Sequence, residues 1–264
     1  MEGEADRLDN RVDVAGTHES SVQLHGRRLE QPPDPDRRPA DGAGKGGSAV
    51  EIACAEMPDI VVPYFTALPA VPPPWPGIVV VMEGGGISPQ LLRVCQRLAH
   101  EGYATIAPDL FWRFGGSDPA KAIEHYPVLR HADGLADIVE CISWLRAIGA
   151  GKIGVTGFCM GGGYAYLAAT SGAVDAAVPF YGAGIAQHLG TAQCPLLAFF
   201  GGRDEYIPRD DIAKVEQHHP GDVIVYDDAE HGFMRDGSPN YHDTAAPDAW
   251  GRMLAFFAQN LEDH

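Results

Sequence analysis

The chain reads as an α/β protein: a mostly parallel, doubly wound sheet with helices on both faces and antiparallel strands at its starting edge. Three observations predict this. The run Ile78-Val79-Val80-Val81-Met82 has the composition of a strand buried on both faces. From there to the C-terminus, short apolar runs alternate with longer segments of helical periodicity, the pattern of parallel strands joined by crossover helices. Finally, Ile153-Gly154-Val155-Thr156 runs through a tight Gly157-Phe158-Cys159-Met160-Gly161 turn into a helix-like stretch, Tyr164 to Ala169.

In chain order, residues 1 to 48 are rich in Asp, Arg, Pro and Gly and show neither helical nor strand periodicity. Such a segment buries too little apolar surface to offset its ordering entropy, and it is expected to be a disordered extension. Val50–Cys54 and Ile60–Pro69 read as two strands of an antiparallel hairpin at the sheet edge, where proline is tolerated. The central strand 78–82 ends in Glu83-Gly84-Gly85-Gly86. Leu91, Leu92, Val94, Cys95, Leu98 and Ala99 then mark a helix that stops at Gly102, before a strand at Tyr103–Ala107 and the word Pro108-Asp109-Leu110-Phe111-Trp112-Arg113. Residues 114–130 are irregular, a loop or a short helix. An amphipathic helix is expected from Asp133 to Ile148, with Leu135, Ile138, Val139, Ile142, Trp144 and Leu145 inward. Beyond the Cys159 turn come strands at 174–182, 195–201 and 223–226, with helices near 208–219 and 243–261. Residues 49 to 264 thus form one domain without internal repeats.

Composition bounds the function. The chain has 264 residues and a net charge of -17, which disfavours nucleic acid and anionic membranes as partners. Residues 1–48 carry ten acids and seven bases, or -3, so the remaining 36 - 10 = 26 acids and 19 - 7 = 12 bases give the body -14. An arginine near a reactive centre is conspicuous in such a body. No apolar run reaches transmembrane length, and the first residues, Met1-Glu2-Gly3-Glu4-Ala5-Asp6-Arg7, lack the basic and apolar segments of a secretory signal. Five cysteines without a Cys-x-x-Cys pair point to reduced thiols and a cytoplasmic setting. Cys95, Cys141 and Cys194 are expected to be buried. No metal or organic cofactor is called for, and His218-His219 reads as a solvated helix end.

The turn around Cys159 has the nucleophile-elbow pattern, with cysteine where serine commonly stands. The flanking glycines allow close packing at a strained apex, and the following helix N-terminus favours negative charge on sulfur and on an oxyanion. The plainer reading is a glycine-rich strand-to-helix turn with an inert thiol. Two further words at strand ends favour chemistry: Gly201-Gly202-Arg203-Asp204 and Glu230-His231-Gly232-Phe233. The order Cys159, Asp204, His231 is nucleophile, acid, base, in which His231 moves the proton and Asp204 fixes its tautomer. Trp112, Tyr181, Met160 and Phe233 suit either a cavity wall or ordinary core.

These residues, with Gly102-Tyr103 and Pro108–Arg113, resemble the dienelactone hydrolase (carboxymethylenebutenolidase) family, the cysteine branch of the α/β-hydrolase fold. The likeness runs from about Val50 to the C-terminus. It implies that Glu83 rests against the thiol and that Arg113 and Arg235 bind the substrate carboxylate. It also implies that the N–H groups of Met160 and Gly84 hold the oxyanion and that a small anionic lactone is opened through a thioester. One departure stands out: Glu83 is followed by three glycines where the family usually has an aliphatic and an aromatic residue. A wider pocket is expected, and with it a broader carboxylesterase or thioesterase as the alternative enzyme. A non-catalytic ligand-binding protein is the alternative from another class. The expected partner is a small ester or lactone, and the chain is expected to be a monomer or homodimer.

Overall fold

The computed structural model describes residues 60 to 262. The disorder expected for residues 1–48 and the strand expected at 50–54 lie outside the described residues. The strands are β1 (Tyr64–Ala67), β2 (Trp75–Val81), β3 (Ala104–Pro108), β4 (Ala150–Phe158), β5 (Ala176–Phe180), β6 (Ala198–Gly201) and β7 (Val223–Tyr226). The helices are α1 (Pro89–His100), α2 (Ala122–His125), α3 (His131–Ala147), α4 (Met160–Ser171), α5 (Arg209–His218) and α6 (Ala245–Leu261). The strands form one seven-stranded sheet in the order β1-β3-β2-β4-β5-β6-β7. All neighbours are parallel except β1, which runs antiparallel to β3 at the edge with Tyr64 opposite Pro108. Among the described residues β1 lies at the sheet edge and pairs with β3; the hairpin expected between it and 50–54 lies outside the described residues.

The apolar runs become the strands expected of them. Ile78 to Val81 of β2 are fully buried, because helices cover both faces there. α3 and α4 pack together on one side of the sheet, and α1 and α6 lie on the other, where Arg97 of α1 sits 3.7 Å over the Trp250 ring of α6. α1 starts as its sequence dictates: Ser88 caps the N–H of Leu91 and Pro89 occupies the first turn. Buried Thr66, Thr105 and Thr156 satisfy their hydroxyls on neighbouring strand carbonyls. β5 and β6 begin two and three residues later than the apolar runs suggest; Leu196, two residues before β6, makes only an isolated bridge to Ala177.

Residues 114–130, irregular in sequence, form an arch of two 3₁₀ turns, Trp112–Phe114 and Tyr126–Val128, around the four-residue α2. No described helix is long and apolar enough to cross a membrane.

α6 closes on β4 at Gly154. A Cβ there would lie 2.7 Å from the buried ring of Phe257 and 2.9 Å from Leu261. Gly154→Ala is therefore expected to destabilise the fold by about 1–3 kcal/mol by overpacking, seen as a lower urea midpoint, with kcat/KM unchanged because the position lies away from the strand ends.

Candidate active site

Cys159 stands between the end of β4 and the start of α4 with φ 56° and ψ -116°. A non-glycine residue holds such a conformation only where its surroundings over-determine it. Here the N–H of Cys159 donates to the Phe180 carbonyl at 3.1 Å, and its own carbonyl accepts from Gly163 at 3.2 Å and Ala183 at 3.1 Å. Crowding does the rest. A Cβ at Gly157 would overlap the Gly161 carbonyl, and one at Gly161 would overlap the Val81 carbonyl of β2. The sequence rationale for glycine at both positions holds. The turn leaves Cys159 half-buried, while Cys95 and Cys141 are fully buried. Cys194 is half-buried, more open than expected.

The loop after β6 carries Asp204, whose side chain is fully buried. Its Oδ1 accepts the N–H groups of Tyr206 at 2.8 Å and Ile207 at 3.0 Å, and its Oδ2 accepts from His231 Nδ1 at 2.7 Å. Gly201 lets this loop approach the next one, since a Cβ would lie 2.5 Å from the Ala229 carbonyl. His231 is held by Asn240, whose side-chain amide donates to the His231 carbonyl at 2.9 Å. Its ring is flanked by Tyr181 and Tyr206, with centroids 5.0 and 4.9 Å away. With Nδ1 directed at the carboxylate, the other ring nitrogen faces the thiol. Burial works against a charged ring, but hydrogen bonds to Asp204 and Cys159 and the negative charges there outweigh it and push His231 up to about 9.

Glu83 sits at the end of β2, its side chain mostly buried. Arg235 reaches it from the His231 loop, donating from Nε at 3.1 Å and Nη2 at 2.8 Å to the same oxygen, Oε2. Gly84-Gly85-Gly86 form a tight turn closed by Gly86 N–H on the Glu83 carbonyl at 2.9 Å. Gly86 has φ 86°, and a Cβ there would lie 2.6 Å from Ser117 Oγ. Met160, buried, opens α4 beside Cys159.

Arg113, expected from the resemblance to bind a substrate carboxylate, is paired within the fold. Its fork grips Asp137 of α3 through two hydrogen bonds of 2.6 and 2.8 Å, and Trp112 Nε1 adds a third at 3.3 Å. Asp137 is buried, which by itself raises its pKa; a buried carboxylate needs such a partner, and this one takes both prongs of the guanidinium. Only one of the two expected arginines, Arg235, therefore faces Glu83. Of the ambiguous residues, Tyr181, Met160 and Phe233 are buried core that also backs the site, and Trp112 serves the Asp137 cluster. His219 is buried with Nε2 2.8 Å from Tyr166 Oη, not a solvated helix end.

Sequence reading missed Ser117 and its anchor Asp109. Buried Asp109 accepts from the N–H of Phe111 at 3.0 Å, the N–H of Ser117 at 2.8 Å and Ser117 Oγ at 2.7 Å, and Ser117 Oγ accepts the Ile87 N–H at 2.9 Å. The only signal was the Pro108-Asp109 word at a strand end. Among the described residues, no group of three or more His, Cys, Asp or Glu could hold a metal ion.

A seven-stranded sheet with a strained residue at the β4–α4 turn, an acid after β6 and a histidine after β7 defines an α/β-hydrolase. The model of the dienelactone hydrolase family matches residues 62–261. A relative from Salmonella typhimurium named "Putative carboxymethylenebutenolidase" is 34% identical over 213 residues, covering 70% of this chain and 77% of its own length. The "Carboxymethylenebutenolidase" of Pseudomonas putida is 30% identical over 203 residues, 70% of this chain and 86% of its own. The crystal structure titled "Putative Dienelactone Hydrolase" from Klebsiella pneumoniae superposes with a TM-score of 0.68 at 31% identity, covering 75% of this chain and 93% of that one. The chain belongs to the dienelactone hydrolase family and is a hydrolase.

Two predictions rest on this geometry. Arg113→Ala leaves buried Asp137 without its partner and should cost about 2–3 kcal/mol, with Arg113's partial exposure discounting the cost of breaking a fully buried pair; Arg235→Ala, removing a more exposed arginine, should cost less in the same urea titration. His231 binds its proton more tightly folded than unfolded, its ordinary value being 6.5 against about 9 here. Its contribution to stability is then full below about pH 6.5 and lost as pH rises through about 9. Melting temperature should fall across that window in the native protein, and Asp204→Asn should flatten the fall.

Proposed function

We propose that this enzyme acts on ester or lactone bonds through Cys159, opening small anionic lactones or esters of dienelactone type by way of a thioester. The observation that carries the reading is the convergence at one set of strand ends: the strained Cys159, the Asp204–His231 pair at 2.7 Å, and the Glu83–Arg235 pair beside them.

In this reading the substrate carboxylate pairs with Arg235 and competes with Glu83 for it. The displaced Glu83 turns to the thiol and takes its proton, so the thiolate forms when substrate is present and idle oxidation is limited. Sulfur attacks the carbonyl carbon; an S–C bond forms and the carbonyl electron pair moves to oxygen. The N–H groups of Met160 and Gly84 hold that oxyanion, at the N-terminus of α4 where the helix dipole also favours it. Collapse breaks the C–O bond of the ring or ester, the leaving enolate or alkoxide takes up the proton that Glu83 had accepted, and the thioester remains. Water then attacks while His231, no longer beside a charged sulfur once Cys159 is acylated, removes its proton; the C–S bond breaks, the imidazolium returns the proton to the departing sulfur, and the acid product leaves. Asp204 keeps Nδ1 protonated and stabilises the imidazolium. No metal or organic cofactor enters this scheme.

A second reading, a broader carboxylesterase or thioesterase, draws on the Arg113–Asp137 pair. With Arg113 engaged, one arginine instead of two is left for a substrate carboxylate, and acid selectivity weakens accordingly. The two are separated by rates on cis-dienelactone, its methyl ester and p-nitrophenyl acetate. The lactone reading expects Arg235→Ala to lower kcat/KM on the acid by about 10²-fold, the scale of a lost charge-assisted pair, while the methyl ester changes far less. Equal effects on both substrates favour the broader esterase. Cys159→Ala should abolish turnover of all three, and activity retained in that variant would overturn the nucleophile assignment.

A further inference from the structure

The base and the carboxylate-binding arginine of the proposed scheme stand on one short segment, His231 to Arg235, and each backbone carbonyl along it is engaged. Gly232 accepts from the N–H of Arg235 at 2.8 Å, Arg235 from that of Ser238 at 3.1 Å, and Phe233 from that of His242 at 3.1 Å. The His231 carbonyl takes the side-chain amide of Asn240 at 2.9 Å. These four bonds close the stretch 231–242 on itself. The fifth leaves it: Met234 accepts from Nε2 of Gln90 at 3.2 Å, and Gln90 belongs to the first turn of α1.

That donor is itself oriented. Oε1 of Gln90 accepts from Arg93 Nη2 at 2.9 Å, which leaves the amide nitrogen to face the loop. The backbone beneath it is fixed by the Ser88 cap and by buried Leu91. The His231 end of the segment has an anchor in Phe233, buried with its ring 5.3 and 5.4 Å from those of Tyr181 and Tyr226. Beyond Met234 the chain turns outward, with Arg235 43% exposed and Asp236 and Gly237 exposed after it. At this end two side-chain bonds come from the stretch that follows β2: Glu83 to the Arg235 guanidinium, and Gln90 to the carbonyl one residue earlier. The first is ionic and ends on the group that would meet the substrate. The second is neutral and ends on backbone.

We propose that Gln90 is a positioning residue for Arg235. In the catalytic scheme a substrate carboxylate takes the guanidinium from Glu83, so the ionic tether is lost at the moment Arg235 is needed. The Gln90 bond does not pass through the guanidinium. It survives the exchange and keeps the Arg235 backbone at the end of β2 while the arginine changes partner. Gln90 touches no reacting atom; its effect runs through Arg235 and concerns anionic substrates. The catalytic half of the inference rests on the reading of Arg235 as the carboxylate's partner, whereas the tether itself does not.

The test uses Gln90→Met, which keeps the length of the side chain and removes the donor, alone and combined with Glu83→Ala, the variant that stands for the released state. Hydrogen exchange of the peptide spanning 232–242 reads the tether without turnover. In the Glu83→Ala background, Gln90→Met should speed that exchange about fivefold, the worth of one neutral hydrogen bond, and leave peptides of α3 unchanged. Exchange no faster than in Glu83→Ala alone, or equally faster in α3, overturns the tether. Kinetics read its consequence. On cis-dienelactone Gln90→Met should raise KM about fivefold, with kcat and the rate on p-nitrophenyl acetate within about twofold of native. It should add nothing in an Arg235→Ala background. Equal losses on the acid and the acetate, or a further loss in that background, mean that Gln90 acts on the fold at large, and the positioning role is wrong. If the exchange result holds but Arg235→Ala affects acid and methyl ester alike, the tether stands and the carboxylate reading falls.

Discussion

The structure depends on how closely β2, β4 and the first turn of α4 approach one another at the elbow. Carbonyl groups of Val81 and Gly161 lie where side chains at 161 and 157 would be, so only glycine permits the approach. That crowding holds Cys159 at φ 56°, and the strain places the sulfur at the tip of the turn. A barely looser helix would relax the residue, and its thiol would turn into the core like those of Cys95 and Cys141. The sheet order follows the same logic, because β4 must be central for its C-terminal end to meet loops from β2, β6 and β7.

Around that point, a strongly acidic chain distributes its buried carboxylates among different kinds of partner. Asp204 has two backbone N–H groups and an imidazole, Asp137 an arginine and an indole, Asp109 two N–H groups and a hydroxyl, and Glu83 one side of an arginine. The first three are satisfied within the fold. Glu83 holds its arginine through one oxygen only, and that arginine is 43% exposed against 33% for the Arg113 that grips both oxygens of Asp137, so a solute anion competes more readily for it. The looser engagement separates carboxylates fixed by several donors from one whose partner is open to exchange.

Much of this was legible in the residues. The β-branched run of β2, the Gly-x-Cys-x-Gly turn, and the Asp204 and His231 words each depend on local chemistry, and local chemistry is what a sequence displays. The partner of Arg113 was not legible because Asp137 lies 24 positions away on a helix whose inward residues otherwise read as apolar. His219 was misjudged as a solvated helix end because its partner, Tyr166, lies 53 positions earlier on α4. Ser117 sits in a stretch without periodicity. Its place comes from facing Gly86, and the absence of a side chain gives no hint of what stands opposite it.

Asp109 ties together parts of the chain that share no secondary structure. Through Phe111 it fixes the exit of β3, through Ser117 the arch that bears Tyr126, and through the Ser117 hydroxyl to Ile87 the turn that follows Glu83. Three loops anchored on one buried charge cannot open independently, since releasing any of them exposes the carboxylate's remaining bonds to solvent together. In native-state hydrogen exchange the amides of Ile87, Phe111 and Ser117 then belong to one cooperative unit, and the rim of the site behaves as a single piece, not as three adjoining loops.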